Sequence, residues 1–402
     1  MEWSPQQTRG LEAVRTWLKD SDSQVFRLFG YAGTGKTELA QHMGDLVEGK
    51  VLYGAFTGKA AHVMRQRGCR SASTIHKLIY NPKDKGRSRL LELQKELTDL
   101  NLGVEPHDTL LRKSIHELEL MIREEKEALK RPYFALNPDS EVRRADLLVI
   151  DEVSMVDQRM GEDLLSFGTK VLVIGDPFQL PPVRGEGYFT GEEPDVMLTE
   201  IHRQAEGNPI IDLATTVRLG HTLKQGQYGD SIVMDWKDIE AKTALAADQV
   251  LVGTNKLRRG TNRRMRELLG FDGDMPLDGD RLVCLRNDHK EGLLNGAIWN
   301  VVGDSVQLTE DYIHLDVASE DGKDNLDLTV HACHFCGLVP EYWNRKKAQE
   351  FDYGYALTCH KAQGSQWPHV LVFDQSKSFR QHAQRWLYTA ITRASERITV
   401  VQ

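Results

Sequence analysis

Residues 30–37 read Gly30-Tyr31-Ala32-Gly33-Thr34-Gly35-Lys36-Thr37, the pattern G-x-x-x-x-G-K-[ST]. The surroundings of this motif restrict the fold. The apolar run Val25-Phe26-Arg27-Leu28-Phe29 reads as a buried strand entering the turn, and a helix is expected from Lys36 onward. Strand, glycine-rich turn and helix in that order belong to an α/β chain. In such a turn the glycines let backbone N–H groups curl around phosphate oxygens, and the helix N-terminus adds partial positive charge. Gly33, Thr34 and Gly35 therefore stand as phosphate-cradling residues. Lys36 is the side chain to reach the β- and γ-phosphates, and Thr37 is a Mg²⁺ ligand.

The same rhythm of apolar strand, polar loop and helix runs on through Val51-Leu52-Tyr53-Gly54-Ala55-Phe56, Leu147-Leu148-Val149-Ile150 and Val171-Leu172-Val173-Ile174. It restarts at Gln249-Val250-Leu251-Val252-Gly253 and again at Val370-Leu371-Val372-Phe373 and Ile398-Thr399-Val400-Val401, which flank a helix around 386–392. Continuous apolar runs of this kind mark parallel strands covered on both faces. Two α/β lobes follow, and 402 residues suffice for them at roughly 100–200 residues per domain.

Two segments break the rhythm. Residues 83–131 carry 11 charges of each sign. Leu90, Leu93, Leu97 and Leu100 fall at a/d spacing, Gly103-Val104-Glu105-Pro106 reads as a turn, and Leu111, Ile115, Leu118, Ile122 and Leu129 resume the spacing. That is an antiparallel helical hairpin. Residues 276–340 instead alternate apolar and polar positions among Gly and Asp, as in Arg281-Leu282-Val283-Cys284-Leu285, and read as a small β-barrel.

Asp151-Glu152 follows four apolar residues. A strand that delivers two acids to its tip beside a phosphate loop gives Asp151 to Mg²⁺ and Glu152 to the attacking water. Gln179, in Gly175-Asp176-Pro177-Phe178-Gln179, ends the next strand and can sense a γ-phosphate. Lys256, Arg258, Arg259, Arg263, Arg264 and Arg266 share one expected helix, a solvated face or a nucleic-acid contact. Cys333-His334-Phe335-Cys336 is one C-x-x-C without a second pair, a weak zinc pattern. The five cysteines make no disulfide framework, and the net charge of −8 argues against indiscriminate polyanion binding. No apolar run of about 18 residues suggests a membrane helix, and the N-terminus lacks a signal-peptide layout.

Taken in order, these motifs resemble the superfamily 1 helicases of subgroup B, of the RecD and phage Dda type, over nearly the whole chain. The resemblance implies two RecA-like lobes, formed by 1–82 with 132–193 and by 194–275 with 348–402. It implies the hairpin 83–131 inserted in the first lobe and an SH3-like unit 276–347, marked by Asn295-Gly296, in the second. Gln7 matches the adenine-reading position. Thr57-Gly58-Lys59-Ala60-Ala61 and Ser73-Thr74-Ile75-His76 resemble DNA-contacting motifs, which gives Thr57, Lys59 and His76 to the strand. Leu198–Gln204 resembles motif IV, with Arg203 as one arginine finger. Thr358-Cys359-His360-Lys361-Ala362-Gln363-Gly364-Ser365 resembles motif V, which gives Thr358 and His360 to DNA and Gly364 to the nucleotide. Tyr388-Thr389-Ala390-Ile391-Thr392-Arg393 resembles motif VI, with Arg393 as the second finger.

Lys36, Glu152, Gln179, Arg203 and Arg393 would then be catalytic, with ATP and Mg²⁺ bound and 5′→3′ movement on single-stranded DNA. Partners implied are single strands and single/double-strand junctions, with replication or recombination proteins at the hairpin, in the cytoplasm of a bacterial or phage-infected cell. The sequence departs from the pattern at Gln366-Trp367, where many relatives place Glu and an aromatic, and in having a helical rather than a short β-hairpin. Two other readings of the residues stay open: a translocase that strips proteins without unwinding, and an ATP-switched assembly module.

Overall fold

The computed structural model describes residues 3–83, 88–102, 109–129, 133–183, 185–200, 207–288, 290–320, 322, 324–338 and 347–402. The fold is mixed α/β around two parallel-sheet cores. The first sheet has six strands in the order Ser73–Thr74, Val51–Ala55, Leu147–Asp151, Val171–Gly175, Val25–Gly30, Val196–Leu198, every pair parallel. All residues of Leu147–Asp151 and Val171–Gly175 are buried, which is why they read as unbroken apolar runs. Val171–Gly175 lies between the strand that enters the glycine turn and the strand that ends in Asp151. The turn, the acid pair and Gln179 therefore emerge from neighbouring C-terminal strand ends, where open α/β sheets bind ligands.

The second sheet runs Ala356–Thr358, Gln249–Val252, Trp367–Phe373, Ala394–Val401, Ser231–Met234, Gly226–Tyr228, parallel except for the last pair. Strands Arg281–Cys284, Ile298–Val301, Val306–Gln307, Tyr312–Ser319, Asn325–His331 and Phe351–Tyr353 form an antiparallel unit. A bridge from Val330 to Gln349 curls its far edge back toward Phe351–Tyr353.

Two expected boundaries shift. Val196–Leu198 pairs with Val25–Gly30, so the first sheet runs past the division drawn at 193/194. Phe351–Tyr353 pairs with Arg281–Cys284, so the β-unit runs past 347. Both strands have three residues, too short to show a period.

Helices Ser88–Leu102 and Thr109–Leu129 pack along Leu90, Leu93, Leu118 and Ile122, with Leu97 and Leu100 beside them. The expected turn at 103–106 lies outside the described residues. A two-stranded antiparallel ribbon, Tyr80–Lys83 against Tyr133–Leu136, carries the helices on the first lobe. Pro82 and the single aromatic step at Phe134 gave no alternation from which to expect it.

The basic helix Asn255–Leu269 divides by function. Arg266 is buried and pairs with the fully buried Asp280 through Nη2 to Oδ2 at 2.9 Å, while Tyr355 donates to Asp280 Oδ1 at 2.8 Å. Arg258 pairs with Asp352 at 2.7 Å. Both pairs fasten this helix to the β-unit. Removing one partner of a buried pair leaves an uncompensated charge, so Asp280→Ala is expected to cost about 3–5 kcal/mol. An unchanged urea transition in that variant would contradict the assigned role.

Candidate nucleotide site and strand-facing cleft

The glycine turn is shaped by backbone conformation. Gly33 has φ 81° and Gly35 φ 74°, a left-handed region that side-chain-bearing residues avoid. Gly35 is the N-cap of helix Lys36–Gly44 and supplies no side chain to cap it, so the first-turn N–H groups face the turn as anion donors. A Cβ on Gly30 would come within 2.6 Å of Thr34 Oγ1, which itself donates to the Tyr31 carbonyl at 2.9 Å. Lys36 Nζ donates to the same carbonyl at 2.7 Å. Gln7 stands behind the turn. Its amide takes the Ser4 N–H in a capping box at 2.9 Å and donates to the Thr34 carbonyl at 3.0 Å. Gln6, which the sequence reading passed over, accepts from the backbone of Thr199 and Glu200.

Asp151 accepts from Thr37 Oγ1 at 3.0 Å and, through its other oxygen, from the Glu152 N–H at 2.8 Å. Glu152 has φ 56°, a left-handed non-glycine conformation, which costs of order 1–3 kcal/mol and collects at functional sites. Burial raises the carboxyls of Asp151, Glu152 and Asp176 above their ordinary range. Lys36 opposes the rise in all three, and Arg393 opposes it in Glu152 and Asp176. Two buried acids and the half-buried Glu152 around one lysine leave a cluster that a hard cation on oxygen ligands would complete. Thr37 and Asp151 are the pair placed to hold it.

The second lobe closes this site through helix Ala383–Ile391 and the residues just beyond it. With its amide oriented to satisfy both neighbours, Gln179 donates to Glu152 Oε2 at 3.2 Å and accepts from Arg393 Nη2 at 3.2 Å. Arg393 is 4% exposed and is aimed by three acceptors of its own lobe: Thr389 O at 3.1 Å, Ser365 O at 3.4 Å and Thr392 Oγ1 at 3.2 Å. The Leu180 N–H donates to Thr389 Oγ1 at 2.9 Å, and Gln363 Nε2 donates to the Leu180 carbonyl at 3.0 Å. Leu180 is buried in the second lobe's apolar core, with Phe178 and Ala32 packed against it. Arg203 lies outside the described residues.

The DNA candidates gather along a second line. Thr57 caps helix Gly58–Gln66 by accepting from the Ala60 N–H at 3.1 Å. Lys59 Nζ sits 4.9 Å from the Trp367 ring centre, and burial lowers its pKa. Gly364, assigned from sequence to the nucleotide, faces this line: a Cβ there would come within 2.8 Å of Thr57 Oγ1. His76 lies among Phe56, Tyr80 and Phe134, and burial lowers its pKa, which keeps the ring neutral at pH 7. Thr358 precedes the short helix Cys359–Ala362 without capping it through its side chain. His360 packs on Phe379, its pKa lowered by burial and by His382.

Lys361 escaped the sequence reading because a lysine beside a histidine looks like surface. It donates to Asn295 Oδ1 at 2.6 Å, and burial lowers it to about 8. Trp299 and Trp367 are 4% and 3% exposed and so present no open face on which a base could stack. Among the described residues, Cys333 and Cys336 belong to no group spaced to hold a metal.

Residues 3–232 match the AAA domain family, more than half of the chain, and residues 353–401 match the UvrD-like helicase C-terminal domain. The chain belongs to the AAA domain family, whose match begins in the first lobe and reaches into the second. Among curated proteins it is similar to the ATP-dependent RecD2 DNA helicase of Deinococcus radiodurans, at 28% identity over 92% of this chain and 46% of that protein. It is also similar to the conjugal transfer protein TraA of Rhizobium radiobacter, at 25% over 62% of this chain and 24% of that one. The chain thus spans less than half the length of these relatives. Among solved structures, the Pif1 helicase from Candida albicans is 19% identical with a TM-score of 0.53, covering 100% of this chain and 94% of its own. Bacteroides Pif1 bound to single-stranded DNA is 16% identical with a TM-score of 0.54, covering 99% and 92%. These two likenesses speak for the fold.

Proposed function

We propose that this chain is an ATP-driven DNA helicase that moves 5′→3′ along a single strand and separates duplex ahead of it. The observation that carries the reading is Gln179, bridging Glu152 of one lobe and Arg393 of the other. Lys36 and the turn N–H groups bind the phosphate tail. Thr37 and Asp151 would hold a Mg²⁺ ion, which would neutralise charge on the phosphate tail. Glu152 orients the attacking water. Arg393, with Arg203 as its proposed partner, stabilises the charge that develops on the γ-phosphoryl group, an effect worth roughly 10³–10⁵ in rate. Gln179 touches the acid and the finger together, so hydrolysis is tied to lobe closure. Release lets the lobes part.

The strand would cross both lobes along Thr57, Lys59 and His76 on one side and Thr358 and His360 on the other. Gly364 lies directly on Thr57, so opening of the cleft changes the spacing between the two grips. Alternating grip turns closure into stepping. That RecD2 is named a DNA helicase and that a Pif1 structure holds single-stranded DNA support the choice of polymer. The polarity follows the subgroup. The division into two lobes, hairpin and β-unit is proposed with the limits moved past 198 and 353. A single- to double-strand junction is the substrate, and replication or recombination proteins are the partners, met through the hairpin. The setting is the cytoplasm of a bacterial or phage-infected cell; no helix among the described residues is long and apolar enough to cross a membrane.

The test is strand displacement from duplexes bearing a 5′ or a 3′ tail. Displacement is expected from the 5′-tailed substrate with ATP; a preference for the 3′ tail, or none with either, overturns the proposal. The hairpin gives a further prediction. Each duplex step stores about 1.4 kcal/mol of stacking on average, so a motor needs a rigid obstacle to keep strands apart. Replacing 88–130 with a short Gly/Ser turn is expected to lower displacement at least fivefold while DNA-stimulated ATP hydrolysis persists. Displacement at the parental rate contradicts the wedge role.

A further inference from the structure

The second lobe touches the phosphate loop itself, through a residue none of the assigned roles uses. Tyr388 is 1% exposed on helix Ala383–Ile391. Its hydroxyl accepts from the Ala32 N–H at 3.0 Å and donates to Asp176 Oδ2 at 2.6 Å. Phe178 meets its ring edge-on at 5.2 Å, and burial beside Asp176 pushes the phenol far above its ordinary range, so it remains a donor toward that carboxylate.

The peptide unit between Tyr31 and Ala32 is therefore held at both ends. Its carbonyl takes the ammonium of Lys36 at 2.7 Å, and its N–H goes to Tyr388 in the opposite lobe. The Tyr31 ring on the same unit lies 3.8 Å from the Arg218 guanidinium, again from the second lobe. Lys36 spends one of its three N–H donors on this carbonyl, and a bound phosphate would compete for the ammonium. When a γ-phosphate draws the ammonium away, the carbonyl keeps Thr34 Oγ1 within its own lobe, and the N–H keeps Tyr388 as the peptide's hydrogen bond across the cleft.

We infer that Tyr388 is a positioning residue that links Lys36, through the Tyr31–Ala32 peptide, and the Asp176 carboxylate to closure of the second lobe. The inference rests on the ATPase reading above. Its hydroxyl keeps the peptide in register while Lys36 changes partner, and it holds Asp176 beside Gln179 in the closed state. It makes no contact of its own with the reacting atoms. Loss of the hydroxyl is therefore expected to slow turnover rather than to weaken ATP binding.

The experiment is steady-state ATP hydrolysis at saturating single-stranded DNA for the parent, Tyr388→Phe, Asp176→Asn and the double variant, with ATP-binding stoichiometry and melting temperature measured on each. Tyr388→Phe keeps the ring and its packing. It is expected to lower kcat about tenfold or more, with KM for ATP within about threefold and one ATP site per chain. In the Asp176→Asn background the same change is expected to cost clearly less, because the two groups share one hydrogen bond. Phe with kcat within twofold of the parent overturns the inference, as do losses that multiply independently or ATP sites that vanish in step with activity. A parent that neither binds nor hydrolyses ATP overturns the ATPase reading and this inference together. An active parent with an unaffected Phe variant overturns this inference alone.

Discussion

Lys36→Ala is expected to reduce ATP hydrolysis by about 10³-fold or more, in line with the loss of a charged donor aimed at developing phosphoryl charge. The fold should survive. Lys36 is half-buried and donates to a backbone carbonyl that Thr34 also serves, so its removal opens no apolar cavity. A melting temperature within about 4 °C of the parent is expected, the shift that about 1 kcal/mol makes in a large domain. The ammonium also opposes the burial-driven rise of three carboxyls, those of Asp151, Glu152 and Asp176. Without it their ionised forms are less favoured. Normal turnover in this variant with normal stability would end the nucleotide assignment.

Arg393→Ala is expected to lower kcat by roughly 10³-fold with ATP affinity changed less than about threefold. The guanidinium is held by Thr389, Ser365 and Thr392 and presents Nη2 to Gln179 rather than to the phosphate loop. That geometry serves a state with the lobes closed and contributes little to ground-state binding. Arg393→Lys keeps the charge but not the fixed fork, so it should recover only part of the rate. A variant that loses ATP affinity with kcat intact would place Arg393 in binding rather than in turnover. Arg203, outside the described residues, carries the same expectation from sequence alone.

The central strands were legible because both faces are covered: Leu147–Asp151 and Val171–Gly175 are buried at every position and appear as apolar runs. The phosphate turn was legible because two left-handed backbone positions require glycine there. The hairpin seam was legible at Leu90, Leu93, Leu118 and Ile122 through its spacing. What escaped depends on pairing across long sequence distance. Val196–Leu198 and Phe351–Tyr353 are short strands whose partners lie far away. Arg266 looked like one more charge in a basic helix until Asp280 was placed against it. The site shows the same division. Lys36, Asp151 and Glu152 declare themselves by motif, whereas Gln363 and Tyr388 acquire meaning only when the second lobe meets the first, and Lys361 only when the β-unit meets the second lobe.

The most direct measurement is the rate of ATP hydrolysis by the intact chain with and without single-stranded DNA. Arg393 reaches Gln179 and Glu152 only across the cleft, and Thr57 and Lys59 meet Gly364 and Trp367 across that same cleft. A strand that grips both lobes should therefore favour the closed, hydrolysing state. Hydrolysis is expected to rise at least tenfold with single-stranded DNA and to lose that rise in Arg393→Ala. Hydrolysis of equal rate with and without the strand would contradict a motor built on this cleft.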